Sequence, residues 1–152
     1  MGRARLHTTA VILAAAKMEE LRSLAWTFAS TVPGDPALPA SDRATDLSRP
    51  DRPSGGRGLQ PSPPGTLATN TPPYVDFLDA SGRWVGNDAA APATAAFVRR
   101  WAVVALPQDP ERTLVLYVLV SPVVEDAARA AAWHRRTGME ALLASVRTRK
   151  AQ

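Results

Sequence analysis

With 152 residues and a mass of 16.2 kDa, the chain is long enough for one domain with a hydrophobic core and too short for several. A hydrophobic fraction of 45% and a charged fraction of 21% exclude a wholly disordered chain. The net charge of +4 is scattered and forms no basic stripe interleaved with aromatic residues, so we expect no nucleic-acid partner. The absence of cysteine excludes disulfides, zinc knuckles and thiol catalysis.

Uninterrupted apolar runs in this sequence are short. The two longest cover residues 10–16 and 114–120. A helix that crosses a bilayer needs about 20 apolar residues. We therefore expect the chain as given not to span a membrane and to be soluble.

The first 30 residues predict one amphipathic helix over residues 5–29. Apolar side chains recur there at spacings of three and four, which is the pattern of one helix face. The predicted buried stripe consists of Val11, Ala14, Met18, Leu21, Ala25 and Phe28. A helix of this length exceeds what so small a domain can cover, so we expect part of it to project or to meet a partner.

Residues 31–73 contain ten of the 14 prolines and five of the nine glycines. No apolar period survives in this segment, and its proline clusters oppose regular structure. We predict a long, mostly irregular loop.

The remaining residues, 74–152, are rich in strand patterns. Strands are predicted at 74–79, 83–85, 97–106 and 113–121, the last two joined by a short proline-containing loop and therefore antiparallel. The run 114–120 is apolar on both faces, which predicts a central strand covered by the N-terminal helix. A helical segment is predicted near 125–136 because of its alanines. Residues 139–150 could form either a helix or a last strand, and propensity alone favours a helix at 140–144.

Residues suited to catalysis do not form a recognisable set. The two histidines, His7 and His134, are far apart in sequence. Asp76 and Asp79 offer too few oxygens for a hard-cation site. We therefore expect no enzyme activity, no metal and no cofactor.

One segment carries a resemblance to a known family. Residues 16–22 read Ala-Lys-Met-Glu-Glu-Leu-Arg, and this run resembles the stalk helix of minor pilins of type IV pili and of minor pseudopilins of type II secretion. Similar segments follow in the same order at 75–82, 97–101, 106–110 and 146–150. The resemblance covers residues 5–30 and about 74–150, and the loop 31–73 matches nothing in it.

The resemblance implies an α+β fold in which a long N-terminal helix packs on a small antiparallel sheet, with a further strand at 140–149. It implies a structural protein of the cell envelope that contributes to initiation or tip assembly of a pilus or pseudopilus. The partners would be other pilins, contacted through the N-terminal helix. The stalk-helix motif and its packing residues would be Lys17, Met18, Glu19, Glu20, Leu21, Arg22, Ala25 and Phe28.

The N-terminus departs from the family pattern. A family member begins with a peptidase site, in which glycine precedes an aromatic residue, and then an apolar span, whereas here Gly2 precedes Arg3. Either the reading frame starts at an internal methionine, or the chain is the head with the distal half of its stalk. We expect the first, so that membrane attachment would depend on an upstream segment.

A second hypothesis is a small basic module that binds an acidic partner. Such a module would need its basic residues on one shared face. These residues are Arg3, Arg5, Arg135, Arg136, Arg147, Arg149 and Lys150.

Overall fold

The computed structural model describes residues 2–26, 47–48, 58–123 and 139–149. Within these ranges the chain forms one α-helix and five strands. They are α1 (Arg3–Ser23), β1 (Val75–Leu78), β2 (Trp84–Gly86), β3 (Phe97–Ala105), β4 (Thr113–Pro122) and β5 (Ala141–Thr148).

The five strands form a single antiparallel sheet in the order β2-β1-β3-β4-β5. α1 packs across β4 and β5 and touches β3. The predicted α+β fold, an N-terminal helix on a small antiparallel sheet, is therefore confirmed.

The two faces of the sheet carry alternate residues of each strand. On the face toward α1, which we call the α1 face, Leu114, Leu116, Val118 and Val120 of β4 are fully buried and share one core cluster with Met18 and Leu21 of α1. One row of the central strand thus contacts the helix, as the apolar run 114–120 predicts. The opposite face, which we call the back face, carries Val115, Tyr117 and Leu119, all half-buried.

The predicted C-terminal end of the helix is wrong. α1 ends at Ser23, and Leu24 is already extended, with a ψ of 148°. Ala25, expected in the helical stripe, forms a parallel bridge with Gly58. The chain leaves the helix here because this path buries Leu24 and Trp26 in the core, a gain that helix propensity alone does not include. Phe28 lies outside the described residues.

The predicted buried face of the helix needs a second correction. Ala14, Met18 and Leu21 are buried as expected, but Val11 is exposed and Ala10 takes its place. Lys17 is also fully buried. The buried face of α1 is therefore turned away from the predicted apolar stripe, toward the side of the helix that carries Lys17.

The C-terminal segment resolves the ambiguity at 139–150 in favour of a strand. Residues 141–148 pair with β4 along its whole length, from Val120 opposite Ala141 to Thr113 opposite Thr148. Pairing and burial of Ala141 under α1 override the helix propensity of this segment. The helical segment predicted near 125–136 lies outside the described residues.

The described parts of the predicted loop, 47–48 and 58–73, hold no helix or strand beyond the bridge at Gly58. They are nevertheless fastened to the domain. Leu47 and Leu59 are buried in the core, and the hydroxyl of Thr66 donates to the Trp101 carbonyl of β3 at 2.8 Å.

Candidate functional site

The run at 16–22, on which the resemblance rests, divides its residues between core and solvent. Lys17, Met18 and Leu21 face the sheet and are buried, whereas Glu19 and Arg22 are exposed and form an ion pair at 3.4 Å. Glu20 lies at the margin of the buried side. This run therefore places two apolar side chains and one charged side chain in the interior, and one ion pair on the surface.

Lys17 is the unusual member, because a fully buried ammonium group needs several partners. Its Nζ donates to the carbonyl oxygens of Leu47 at 3.2 Å and Ser48 at 3.1 Å. The same atom lies 2.9 Å from Glu20 Oε2 and 3.3 Å from Asp76 Oδ2. Oxygen atoms from α1, β1 and the loop thus replace the water that this charge loses.

An arginine on β3 completes the arrangement. The Arg99 guanidinium donates from Nε to Asp76 Oδ1 at 2.8 Å and from Nη2 to Asp76 Oδ2 at 2.7 Å, a bidentate pair inside the protein. Its Nη1 also donates to the Leu13 carbonyl of α1 at 3.3 Å. Asp76 and Arg99 are direct cross-strand neighbours, which places both side chains on the α1 face.

Trp101 of β3 packs against Lys17 on the side of the sheet. Its ring centre lies 4.2 Å from Lys17 Nζ, within the range of a cation–π contact. Because Trp101 follows Arg99 by two residues on β3, the same alternation brings both side chains under α1.

We refer to Lys17, Glu20, Asp76 and Arg99 as the ion cluster. Two cations face two anions, so the cluster is neutral and its charges satisfy one another. A small cleft of about 250 Å³ opens beside Glu20 and Trp84. The hydrogen bonds and ion pairs of the cluster join α1, β1 and β3.

The turn after β1 supports this junction. The pKa of Asp79 is lowered, first because its carboxylate accepts a hydrogen bond from the Ser81 hydroxyl, and further because it accepts one from the Arg83 amide. These bonds shape the turn so that Gly82, with a φ of +82°, lies against Leu13 of α1. A Cβ at Gly82 would come within 3.2 Å of the Leu13 side chain, so glycine allows both the left-handed backbone and the close approach.

β5 holds the C-terminal end of α1. The Arg147 guanidinium donates from Nη1 to the Arg22 carbonyl and from Nη2 to the Leu24 carbonyl, the latter at 3.0 Å. A positive charge at this end also interacts favourably with the negative pole of the helix dipole. Arg149 stacks on the ring of Trp26 at 4.1 Å.

Sequence reasoning named Lys17 and Glu20 but missed the role of their partners. Asp76 was considered only as a weak cation ligand, and its cations are those of the protein itself, Lys17 and Arg99. The sequence did contain a signal for this pairing. Charged residues at inward positions of otherwise apolar strands, here Asp76 and Arg99, predict a buried pair when their signs are opposite.

Comparisons with known proteins add no relationship. No protein-family model, curated protein or solved structure matches this chain. Within the described residues, α1 is not apolar enough to act as a bilayer-spanning helix. The described residues also contain no group of three or more side chains placed to hold a metal ion.

Proposed function

We propose that the chain is a structural subunit of the cell envelope, of the minor pilin or minor pseudopilin type, that contributes to initiation or tip assembly of a fibre. The observation that supports this most is the asymmetry of α1. Its second half is fixed to the sheet by Met18, Leu21 and the ion cluster, whereas its first two turns are largely exposed. A helix anchored at one end and open at the other is suited to side-by-side packing with other helices.

The exposed side of the first half has the character of a helix contact. Ala4, Thr8, Val11 and Ala15 follow each other at spacings of four, three and four, so they form one line along α1. The Thr8 hydroxyl donates to the Ala4 carbonyl within the helix at 2.9 Å, so it needs no outside partner. Small side chains in such a line let another helix approach closely.

The ion cluster supports the proposal in a second way. Hydrogen bonds have a preferred distance and angle, so they fix the position of α1 on the sheet in addition to the apolar contacts. Arg99 bonds both Asp76 of the sheet and the Leu13 carbonyl of α1, and Lys17 bonds the loop. Displacement of α1 would therefore leave buried charges without partners, which is costly.

The alternative, a small basic binding module, receives no comparable support. Arg147 and Arg149 are engaged at the C-terminal end of α1. Arg5 lies 17 residues earlier than Arg22, which is about 26 Å along the helix. Arg135, Arg136 and Lys150 lie outside the described residues, so this alternative stays a prediction.

The test is site-specific photo-crosslinking in a bacterium that assembles type IV pili. The chain is expressed behind the leader and membrane span of a resident minor pilin, with a photo-crosslinking amino acid in place of Val11 or Ala15. We expect adducts with resident pilins at both positions and recovery of the adducts in sheared fibres. The matched control replaces Glu111, which is exposed on the turn between β3 and β4.

Adducts at Glu111 as strong as those at Val11 would show unspecific proximity in the membrane. A processed, membrane-bound protein that forms no adduct at Val11 or Ala15 would overturn the proposal. Salt-sensitive retention of the same protein on a polyanion would favour the basic-module alternative instead.

A further inference from the structure

Lys17 and Asp76 face each other in the interior of the domain. Both side chains are fully buried, and Lys17 Nζ lies 3.3 Å from Asp76 Oδ2. The Trp101 ring, 4.2 Å from the same nitrogen, covers it on the side of the sheet. Two opposite charges without hydration are costly to keep in such a site, whereas an amide formed from the two groups would be neutral.

The amine side of this pair is oriented by hydrogen bonds. The Lys17 ammonium group donates two of its three N–H bonds to the Leu47 and Ser48 carbonyls, at 3.2 and 3.1 Å. Removal of the third proton would leave these two hydrogen bonds in place. The lone pair would then take the remaining tetrahedral direction, with the Asp76 carboxyl group beside it. The nitrogen is therefore placed to act as a nucleophile once it loses that proton.

Glu20 is placed to take this proton. Its Oε2 lies 2.9 Å from Lys17 Nζ, within the distance at which a base accepts a proton. Among the described residues this oxygen atom is buried and accepts no hydrogen bond, although the Glu20 side chain as a whole is 37% exposed. The packing of α1 on the sheet does not require such an oxygen, whereas proton transfer from the ammonium group does.

Arg99 prepares the carboxyl side of the pair. Its two hydrogen bonds to Asp76, at 2.8 and 2.7 Å, hold the plane of the carboxyl group. Attack by an amine places more negative charge on the carboxyl oxygens, and donors already aimed at these oxygens stabilise that charge. Reacting groups held about 3–3.5 Å apart in a fixed orientation reach effective concentrations of about 10⁵ M or more. The ion cluster thus combines a nucleophile, a carboxyl group, a base and a charge-stabilising donor in one buried site.

We propose that Lys17 and Asp76 condense into an amide, so that a covalent bond joins α1 to β1. Glu20 takes one proton from the ammonium group, and the free amine attacks the Asp76 carboxyl carbon. The new C–N bond forms and one C–O bond breaks, and the oxygen leaves as water with the proton from Glu20 and a second proton from the nitrogen. One ammonium and one carboxylate thus give one amide and one water, so the step needs no other reactant.

The product fits the surrounding charges. Amide formation removes one positive and one negative charge, and the Arg99 cation and the Glu20 anion remain, so the site stays neutral. The amide oxygen can still accept a hydrogen bond from Arg99, and the amide N–H can still donate to the Leu47 or Ser48 carbonyl. The crosslink forms within one chain, so it does not depend on the assembly proposed above.

Intact mass spectrometry of the purified, folded 152-residue chain tests the proposal. We expect a mass that is lower by one water than the sequence requires. Digestion with trypsin should give a branched product in which residues 6–22, uncut at Lys17, are joined to residues 58–83. Asp76→Asn should lose ammonia instead of water, because the side-chain amide then supplies the leaving group.

Two substitutions separate the roles of the partners. Lys17→Arg keeps the positive charge but has no nucleophilic amine, so its mass should be that of its full sequence. Glu20→Gln keeps the size of the side chain but cannot take the proton, and it should slow the mass loss, followed from induction of expression, at least about a hundredfold. Glu19→Gln is the matched control, since Glu19 is an exposed neighbour that pairs with Arg22, and it should crosslink at the parent rate.

A folded parent chain at its full sequence mass would overturn the proposal. A water loss that persists in Lys17→Arg would also overturn it, because the loss would then indicate a cyclic imide at an aspartate. Equal rates for Glu20→Gln and Glu19→Gln would contradict the proton transfer, and this comparison holds even where Lys17→Arg does not fold, since Glu20 is partly exposed. Photo-crosslinking through Val11 reports a contact between chains and can succeed or fail independently of these masses.

Discussion

The two faces of the same sheet differ in what covers them, although β4 is apolar on both. Between the α1 face and α1, Lys17, Asp76 and Arg99 are buried together with Trp101, and each of these three charges has an ionic partner. The back face exposes Leu142 and Val146 and keeps its single strand charge, Arg100, buried against Asn70. The comparison shows that strand composition alone does not reveal which face is the interior. A covering element that supplies hydrogen-bond partners can make a charged face the buried one.

The largest expected effect comes from breaking the ion cluster. Asp76→Ala would leave Lys17 and Arg99 buried without their shared carboxylate, which should lower the free energy of unfolding by about 3–5 kcal/mol. Urea titration with an unchanged m-value measures this. The control is Asp88→Ala at an exposed loop position, where little change is expected. A loss below about 1 kcal/mol for Asp76→Ala would mean that water reaches the cluster.

A direct comparison of the faces uses the same substitution on each. Leu21→Ala removes a fully buried side chain between α1 and the sheet and should cost about 2–5 kcal/mol. Leu142→Ala on the back face should change the stability of the dilute protein by less than about 0.5 kcal/mol. Denaturant titration of both variants decides this. Equal losses would mean that the back face is covered in the monomer.

The contact between β5 and α1 should have a smaller effect. Arg147→Ala removes two hydrogen bonds to carbonyl oxygens at the end of α1 and a favourable charge at its negative pole. We expect a loss of about 1 kcal/mol, measured by thermal unfolding. Arg147→Lys should recover the charge effect but not the paired geometry, and Arg83→Ala, at an exposed position, is the control. No difference between Arg147→Ala and Arg83→Ala would contradict the role of Arg147.

The smallest expected effect on stability comes from Asp79, which is exposed in the turn after β1. Because the pKa of Asp79 is lowered in the folded protein, its ionised form adds stability above its ordinary pKa of about 3.9, and this contribution disappears as the pH falls through the lowered value. Asp79→Asn should therefore be less stable than the parent near neutral pH and should approach it in acid. Thermal unfolding across this range measures the gap. A gap that is independent of pH would show that the charge of Asp79 is not what shapes the turn.

The elements of the fold were largely predictable, and their ends and orientations were not. Periodicity placed the helix and four strands, and it identified 114–120 as the central strand. It extended the helix past Ser23 because the burial of Leu24 and Trp26 depends on the neighbouring segment at Gly58 and Leu59. It assigned Val11 to the buried stripe because local pattern treats a lysine as a surface residue.

The sequence by itself determines the local preferences of the chain. These are an alanine-rich helix in the N-terminal part of the chain, strands rich in β-branched and apolar residues, and proline-containing loops between elements. The strand at 140–149 was predicted from the resemblance and not from local propensity, and the structure confirms it at Ala141–Thr148. The tertiary structure alone decided the depth of Lys17 and the pairing of Asp76 with Arg99. The physical reason is the same in each case. These outcomes depend on hydrogen-bond and ionic partners more than 20 residues away in the chain, and a local pattern contains no information about where such partners will lie.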